Sequence, residues 1–157
     1  MIIIGIDPGS TRIGFGLLKT NGRNLVHLKS GLLDIPKGTK SLRLLFLGKG
    51  LEKIIAKFKP DRAGLEKLFF VKNKKTALEV AEARGVIINT LIKRGVKLFE
   101  FAPSEVKLAV TGNGNADKQA VAKMVSLILC LSHKPKIDDV SDALAIAITA
   151  SQHKVLK

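Results

Sequence analysis

The chain has 157 residues, 46% of them hydrophobic, and 27 Lys+Arg against 13 Asp+Glu give it a net charge of +14 at pH 7. That is the length of a single domain, 1–157, too apolar for disorder and without an apolar run long enough to span a bilayer. An acidic membrane surface would call for a basic amphipathic helix, which is missing, so the excess of base points to a phosphate backbone and hence to nucleic acid.

The first apolar run, Ile2 to Asp7, ends on a carboxylate, the pattern of a strand buried on both faces at the centre of a sheet. Pro8-Gly9-Ser10 turns the chain sharply into a second strand, Ile13 to Lys19. Asn21-Gly22 is a hairpin turn leading to a third strand, Leu25 to Leu33, so the opening is an antiparallel meander. Ser41 is the expected N-cap of a helix in which Leu44, Leu47, Leu51, Ile54, Ile55 and Phe58 recur at helical spacing until Pro60. Ala63 to Glu66 is a short strand that again ends on an acid. Then comes a basic segment with Lys67, Lys72, Lys74 and Lys75 around the adjacent aromatics Phe69 and Phe70.

Thr76 to Lys93 reads as a long helix, Val96 to Phe101 as a fifth strand, and Pro103 to Val110 as a short helix. After the Gly112-Asn-Gly114-Asn loop, Asp117 caps a helix whose buried stripe is Val121, Met124, Val125 and Ile128, broken at Lys134-Pro135. A last helix runs from about Asp139 to Ser151. Strands alternating with helices in this way make an α/β domain with a five-stranded mixed sheet flanked by helices. Cys130 is alone, which excludes an internal disulfide, and the apolar N-terminus lacks the basic leader of a secretory signal; the expected location is cytoplasmic.

Acids are scarce, yet three crowd into Asp138-Asp139-Val-Ser-Asp142. Asp7 and Glu66 both close apolar strands. If those strands are parallel neighbours, the two carboxylates stand side by side at the sheet edge where α/β ligands bind. Asp142 lies a turn inside the last helix with Ala143 to Ile148 behind it, too deep to be ordinary N-terminal charge. Either Asp138 or Asp139 shares its face. Together with the strand-end acids they would form a nest of four carboxylates, suited to Mg²⁺ or Mn²⁺ in the pairs that clamp a phosphodiester. Lys118 opens a helix, where the dipole disfavours a cation, so a phosphate or leaving-group contact is expected there. Aromatics interleaved with lysines suit stacking on unpaired bases, with one of Phe69 and Phe70 facing outward. His133 and His153 lack ligand spacing and read as surface residues.

The helix from Thr76 carries two apolar stripes. Leu78, Ala81, Gly85, Ile88 and Ile92 are expected to cover the sheet. Val80, Ile87 and Leu91 fall on nearly the opposite face, which a second copy of the chain would cover.

Ile4-Gly-Ile-Asp7-Pro-Gly-Ser10, Leu65-Glu66-Lys-Leu-Phe69, Glu82-Ala-Arg-Gly85 and Asp139-Val-Ser-Asp142-Ala-Leu-Ala-Ile-Ala147 together resemble the bacterial RuvC-type Holliday junction resolvases, over Met1 to about Gln152. The resemblance implies a ribonuclease H-like fold, a homodimer, and paired Mg²⁺-dependent nicks across a four-way DNA junction, with two ions per subunit and Mn²⁺ as a substitute. It implies Asp7, Glu66, Asp139 and Asp142 as the metal-binding catalytic acids, choosing Asp139 over Asp138. It also implies Lys107 and Lys118 as catalytic lysines, Phe69 as the outward stacking aromatic, and a branch-migration helicase complex as a partner. Phe70, Lys72, Lys74, Lys75 and Arg12 complete the expected DNA contacts. Lys67 departs from the amide residue expected of many relatives.

Three rival readings share some of these features. A ribonuclease H-like nuclease acting on RNA or an RNA–DNA hybrid would use the same acids. The Gly-Ile-Asp and Gly-Ser-Thr pattern also resembles the first phosphate loop of sugar-kinase and actin-like ATPases, whose two domains exceed this length. A non-catalytic DNA-binding module would leave four acids facing phosphate unexplained.

Overall fold

The computed structural model describes residues 1–9, 12–22, 24–68, 74–132 and 138–153, the side chains of 74 and 75 excepted. The strands are β1 (Ile2–Pro8), β2 (Ile13–Thr20), β3 (Leu25–Leu32), β4 (Arg62–Glu66) and β5 (Lys97–Phe101). The helices are α1 (Lys40–Phe58), α2 (Lys74–Lys93), α3 (Pro103–Thr111), α4 (Lys118–Ile128) and α5 (Asp138–Gln152). Sheet order is β3-β2-β1-β4-β5, with β1 antiparallel to β2, β2 antiparallel to β3, and β1–β4 and β4–β5 parallel. The meander and the mixed sheet are those expected from the sequence.

β1 takes the centre because both of its faces are apolar. Ile3, Ile4 and Ile6 are all fully buried. Ile3 joins α3, α4 and α5 in one core layer, and Ile4 and Ile6 join α1 and α2 in the other. Most boundaries fall within two residues of expectation, and two of the differences have a visible cause. Thr39, not Ser41, caps α1, its hydroxyl accepting from the Leu42 N–H at 3.4 Å; Ser41 already lies in the first turn, past the place where a cap can act. α4 is capped by Asp117 as expected, with its carboxylate accepting from the Ala120 N–H at 2.7 Å. It ends at Ile128, because Cys130 takes a left-handed φ of 49° ahead of Lys134-Pro135, which lie outside the described residues.

α5 is the central helix. Val140, Ser141 and every residue from Ala143 to Ala150 are buried, between the sheet on one side and α3 and α4 on the other. Glycines let it settle there: a Cβ on Gly5 of β1 would stand 2.1 Å from the Ala143 carbonyl oxygen, and one on Gly14 of β2 would stand 2.0 Å from that of Asp139. Strand glycines mark such close approaches of another backbone.

α2 corrects the sequence reading. Ile87 and Leu91 are fully buried with Ala83 in the core against α1 and the sheet, whereas Leu78 is 59% and Ile92 63% exposed. Ile87 and Leu91, expected outward, face the core, and Leu78, Gly85 and Ile92, expected inward, face out, while Ile88 packs against the core as expected. Spacing defines stripes, but only the neighbouring helix decides which one is covered.

Candidate active site

The register Ile6↔Leu65 between parallel β1 and β4 puts Asp7 and Glu66 side by side one residue later, where both strands end. α5 lies over this edge and contributes Asp139 and Asp142, on one face within a turn. α3 contributes Lys107 and α4 contributes Lys118. These six side chains, from five separate elements, line one cleft of about 280 Å³. Asp138, by contrast, is exposed and does not line it.

Burial, followed by the charges of Asp142, Glu66 and Asp139, pushes the Asp7 carboxyl from 3.8 up to about 7, against a smaller lowering by Lys118. Burial and then Asp142 raise Glu66, opposed by Lys118 and Lys107. Burial likewise raises Asp142, with Lys118 opposing and Asp138 and Asp139 adding to it. Two cations moderate this repulsion. Lys118 Nζ stands 3.7 Å from Asp142 Oδ2, and Arg12 Nε stands 3.2 Å from Asp139 Oδ2. The second contact is close enough for attraction yet misaligned for a hydrogen bond, so Asp139 Oδ2 is buried without a hydrogen-bond partner.

Among the described residues no three His, Cys, Asp or Glu side chains are gathered closely enough to hold an ion as they stand. The acids ring a cleft rather than close a nest. The donor set is nevertheless all carboxylate oxygen, the choice of hard divalent ions, and the unbonded Asp139 Oδ2 lacks only such a partner. The residues fit a divalent metal.

Residues 3–150 match the family model for crossover junction endodeoxyribonuclease RuvC. This chain belongs to that family. It is 45% identical over 149 residues to the RuvC of Heliobacterium modesticaldum, covering 94% of this chain and 92% of the relative. It is 47% identical over 149 residues to the RuvC of Ruminiclostridium cellulolyticum, covering 94% and 90%. The structure of Thermus thermophilus RuvC in complex with a Holliday junction substrate superposes with a TM-score of 0.88 at 31% identity, covering 95% of this chain and 92% of that one. The fold is ribonuclease H-like, and RuvC proteins are metal-dependent nucleases.

Arg12 pairs with Asp139 at the cleft and remains 61% exposed. Lys67 follows Glu66 directly, lies beside a second cleft, and approaches Glu105 of α3 at 3.9 Å. Phe69, Phe70 and Lys72, the side chains of Lys74 and Lys75, and His133 lie outside the described residues. His153 is exposed as expected, although its ring packs 4.9 Å from that of Phe99 and its carbonyl accepts from Arg62.

Two contributions escaped the sequence reading. Gly5 and Gly14 bring the α5 acids down to Asp7, and glycine inside an otherwise apolar strand was the available signal. Arg84 of α2 reaches Glu66 from the opposite layer. Its only trace in the sequence is its place in the Glu82-Ala-Arg-Gly85 motif.

Proposed function

We propose that this protein resolves four-way DNA junctions by metal-dependent phosphodiester hydrolysis, with Asp7, Glu66, Asp139 and Asp142 as the metal-binding catalytic acids. The observation that carries the reading is the convergence of four carboxylates and two lysines from five elements on one cleft of a chain whose net charge is +14. Two divalent ions per subunit, Mg²⁺ or Mn²⁺, would polarise the scissile phosphate and lower the pKa of an attacking water. The chain's own part is to hold charge in place. Burial and mutual repulsion raise the Asp7, Glu66 and Asp142 carboxyls, and a bound cation would relieve that repulsion. Lys118, 73% exposed beside Asp142, and Lys107 offer ammonium groups to the phosphate and to the negative charge on the leaving oxygen.

Arg12 and Lys67 at the cleft rim, with Lys72, Lys74 and Lys75, supply phosphate contacts, and Phe69 and Phe70 supply stacking on unpaired bases at the junction centre. The family also implies a branch-migration helicase complex as partner and the cytoplasm as the place of action. No helix among the described residues is long and apolar enough to cross a membrane.

The acting form is a homodimer joined through the outward face of α2. Leu78 and Ile92 are exposed there, and between them Gly85 has nothing within 4 Å of where its Cβ would be. A mid-helix glycine costs about 1 kcal/mol relative to alanine, and no contact among the described residues requires it. Close approach of a second α2 explains both the glycine and the apolar stripe, and a two-fold pair places two clefts to cut two equivalent strands.

Cleavage of a four-way junction, a duplex and an RNA–DNA hybrid, each with and without Mg²⁺, tests the reading. Paired nicks on the junction only, and only with metal, are expected. Preference for the hybrid would overturn it.

A further inference from the structure

Neither the cleft nor the outward stripe accounts for the motif Glu82-Ala83-Arg84-Gly85 as a whole. Its side chains take different directions from α2. Glu82 pairs with Lys40 of α1 at 2.7 Å, Ala83 enters the core, and Gly85 lies on the outward face. Arg84 turns toward the carboxylates. Its Nε donates to the main-chain carbonyl of Glu66 at 3.2 Å, and its Nη2 pairs with Glu100 of β5. Only 17% of its side chain is exposed. With Asp7, Glu66, Lys67 and Val80 it lines a second cleft, of about 200 Å³, shared with the two strand-end acids.

We infer that Arg84 is a positioning residue, fastening the last carbonyl of β4 to β5 and α2 and so fixing where the Glu66 carboxylate stands in the metal cleft. Glu66 is the final residue of β4, beyond which the chain keeps one ladder-like bond, from the Lys67 N–H to the Phe101 carbonyl at 2.8 Å. A planar guanidinium, always charged, reaches two partners at fixed angles, which a lysine ammonium cannot reproduce. Removing it leaves a carbonyl and a carboxylate without their donor at the strand end. Hard cations are sensitive to ligand placement, so freeing this end of β4 weakens metal binding without touching the carboxylate itself.

The inference rests on the reading of the four acids as a metal site, and the test separates the two. Mn²⁺ binding to the DNA-free protein is measured by calorimetry for wild type, Arg84→Ala, Arg84→Lys, Glu100→Gln, Glu66→Gln and Arg94→Ala, each with its melting curve. The last breaks a pair between Arg94, just past the end of α2, and Glu52 of α1, and should leave Mn²⁺ affinity unchanged. Arg84→Ala is expected to weaken Mn²⁺ about tenfold at temperatures where the variant is folded, with Arg84→Lys nearer alanine than wild type. A structural role alone would lower the melting temperature and leave the folded protein's affinity intact, which would overturn the inference. Should Arg84→Ala fail to fold, Glu100→Gln decides: weaker Mn²⁺ binding supports the clamp, and wild-type affinity overturns it. If Glu66→Gln binds Mn²⁺ like wild type, the metal-site reading itself is lost. If Glu66→Gln is weakened while Arg84→Ala is not, only the role of Arg84 is.

Discussion

α5 and α2 lie on opposite layers of the same sheet, and both are rich in apolar residues. α5 is enclosed by its own chain: from Val140 to Ala150 only Asp142 escapes full burial, and it faces the metal cleft. α2 is enclosed on one side only, through Ala83, Ile87 and Leu91, with Leu78 and Ile92 left to solvent. The difference shows how a helix is placed. An all-round apolar helix has nowhere to go but the interior, and its rotation is set by what it lies on, here the bare strands at Gly5 and Gly14. A helix with two apolar stripes is ambiguous until its neighbours are known.

The largest effect that bears on this contrast comes from Ile87→Glu. Ile87 is fully buried, and an unpaired carboxylate there should cost about 4 kcal/mol or more and leave little folded protein by circular dichroism. Ile92→Glu, five residues on and on the other side of the helix at a 63% exposed position, should stay within about 0.5 kcal/mol of wild type. Light scattering should find it monomeric. A folded Ile87→Glu, or an unfolded Ile92→Glu, would reverse the assignment of the two faces.

The glycine contacts come next. Gly5→Ala drives a methyl group to 2.1 Å from the Ala143 carbonyl oxygen, and the backbones must part. A loss of about 3 kcal/mol or more is expected from chemical denaturation. Gly85→Ala meets nothing among the described residues and should stabilise an isolated subunit by about 1 kcal/mol, while weakening the dimer.

Much of this could be read from the sequence because the signals were local. The apolar run into Asp7, the Asn21-Gly22 turn, Asp117 as a cap and the sequestered Asp142 each depend on a few adjacent residues. The parallel pairing of β1 with β4 was a condition the sequence left open, and it brings Asp7 beside Glu66. What failed depended on other parts of the chain. The buried side of α2 is decided by α1, and the link from Arg84 to Glu66 crosses eighteen positions that have no shared periodicity. The cap of α1 failed for a smaller reason: Thr39 and Ser41 carry the same hydroxyl chemistry two residues apart.

A subtler effect concerns the charge buried beneath α5. Folding raises the Asp7 carboxyl from 3.8 to about 7, so its ionised form opposes the metal-free fold. That penalty is absent below about pH 4 and complete above about pH 7, so metal-free protein should lose stability as pH rises across this window. Asp7→Asn should remove the Asp7 share of this dependence and melt higher at alkaline pH, by up to about 4 kcal/mol or roughly 8–16 °C. Saturating Mg²⁺ should rescue the wild type and not the variant. An Asp7→Asn protein that melts lower than wild type at high pH would contradict the view that Asp7 is held against its own burial.

The most direct test of the account is single-turnover cleavage of a four-way junction by Asp139→Asn and Asp138→Asn, assayed side by side with Mg²⁺. Asp139 lines the cleft, with a buried oxygen that lacks a hydrogen-bond partner, while Asp138, one residue earlier on the same helix, is exposed outside it. The account predicts that Asp139→Asn abolishes cutting and keeps junction binding, and that Asp138→Asn retains most activity. Loss of cutting at Asp138 with activity preserved at Asp139 would contradict it.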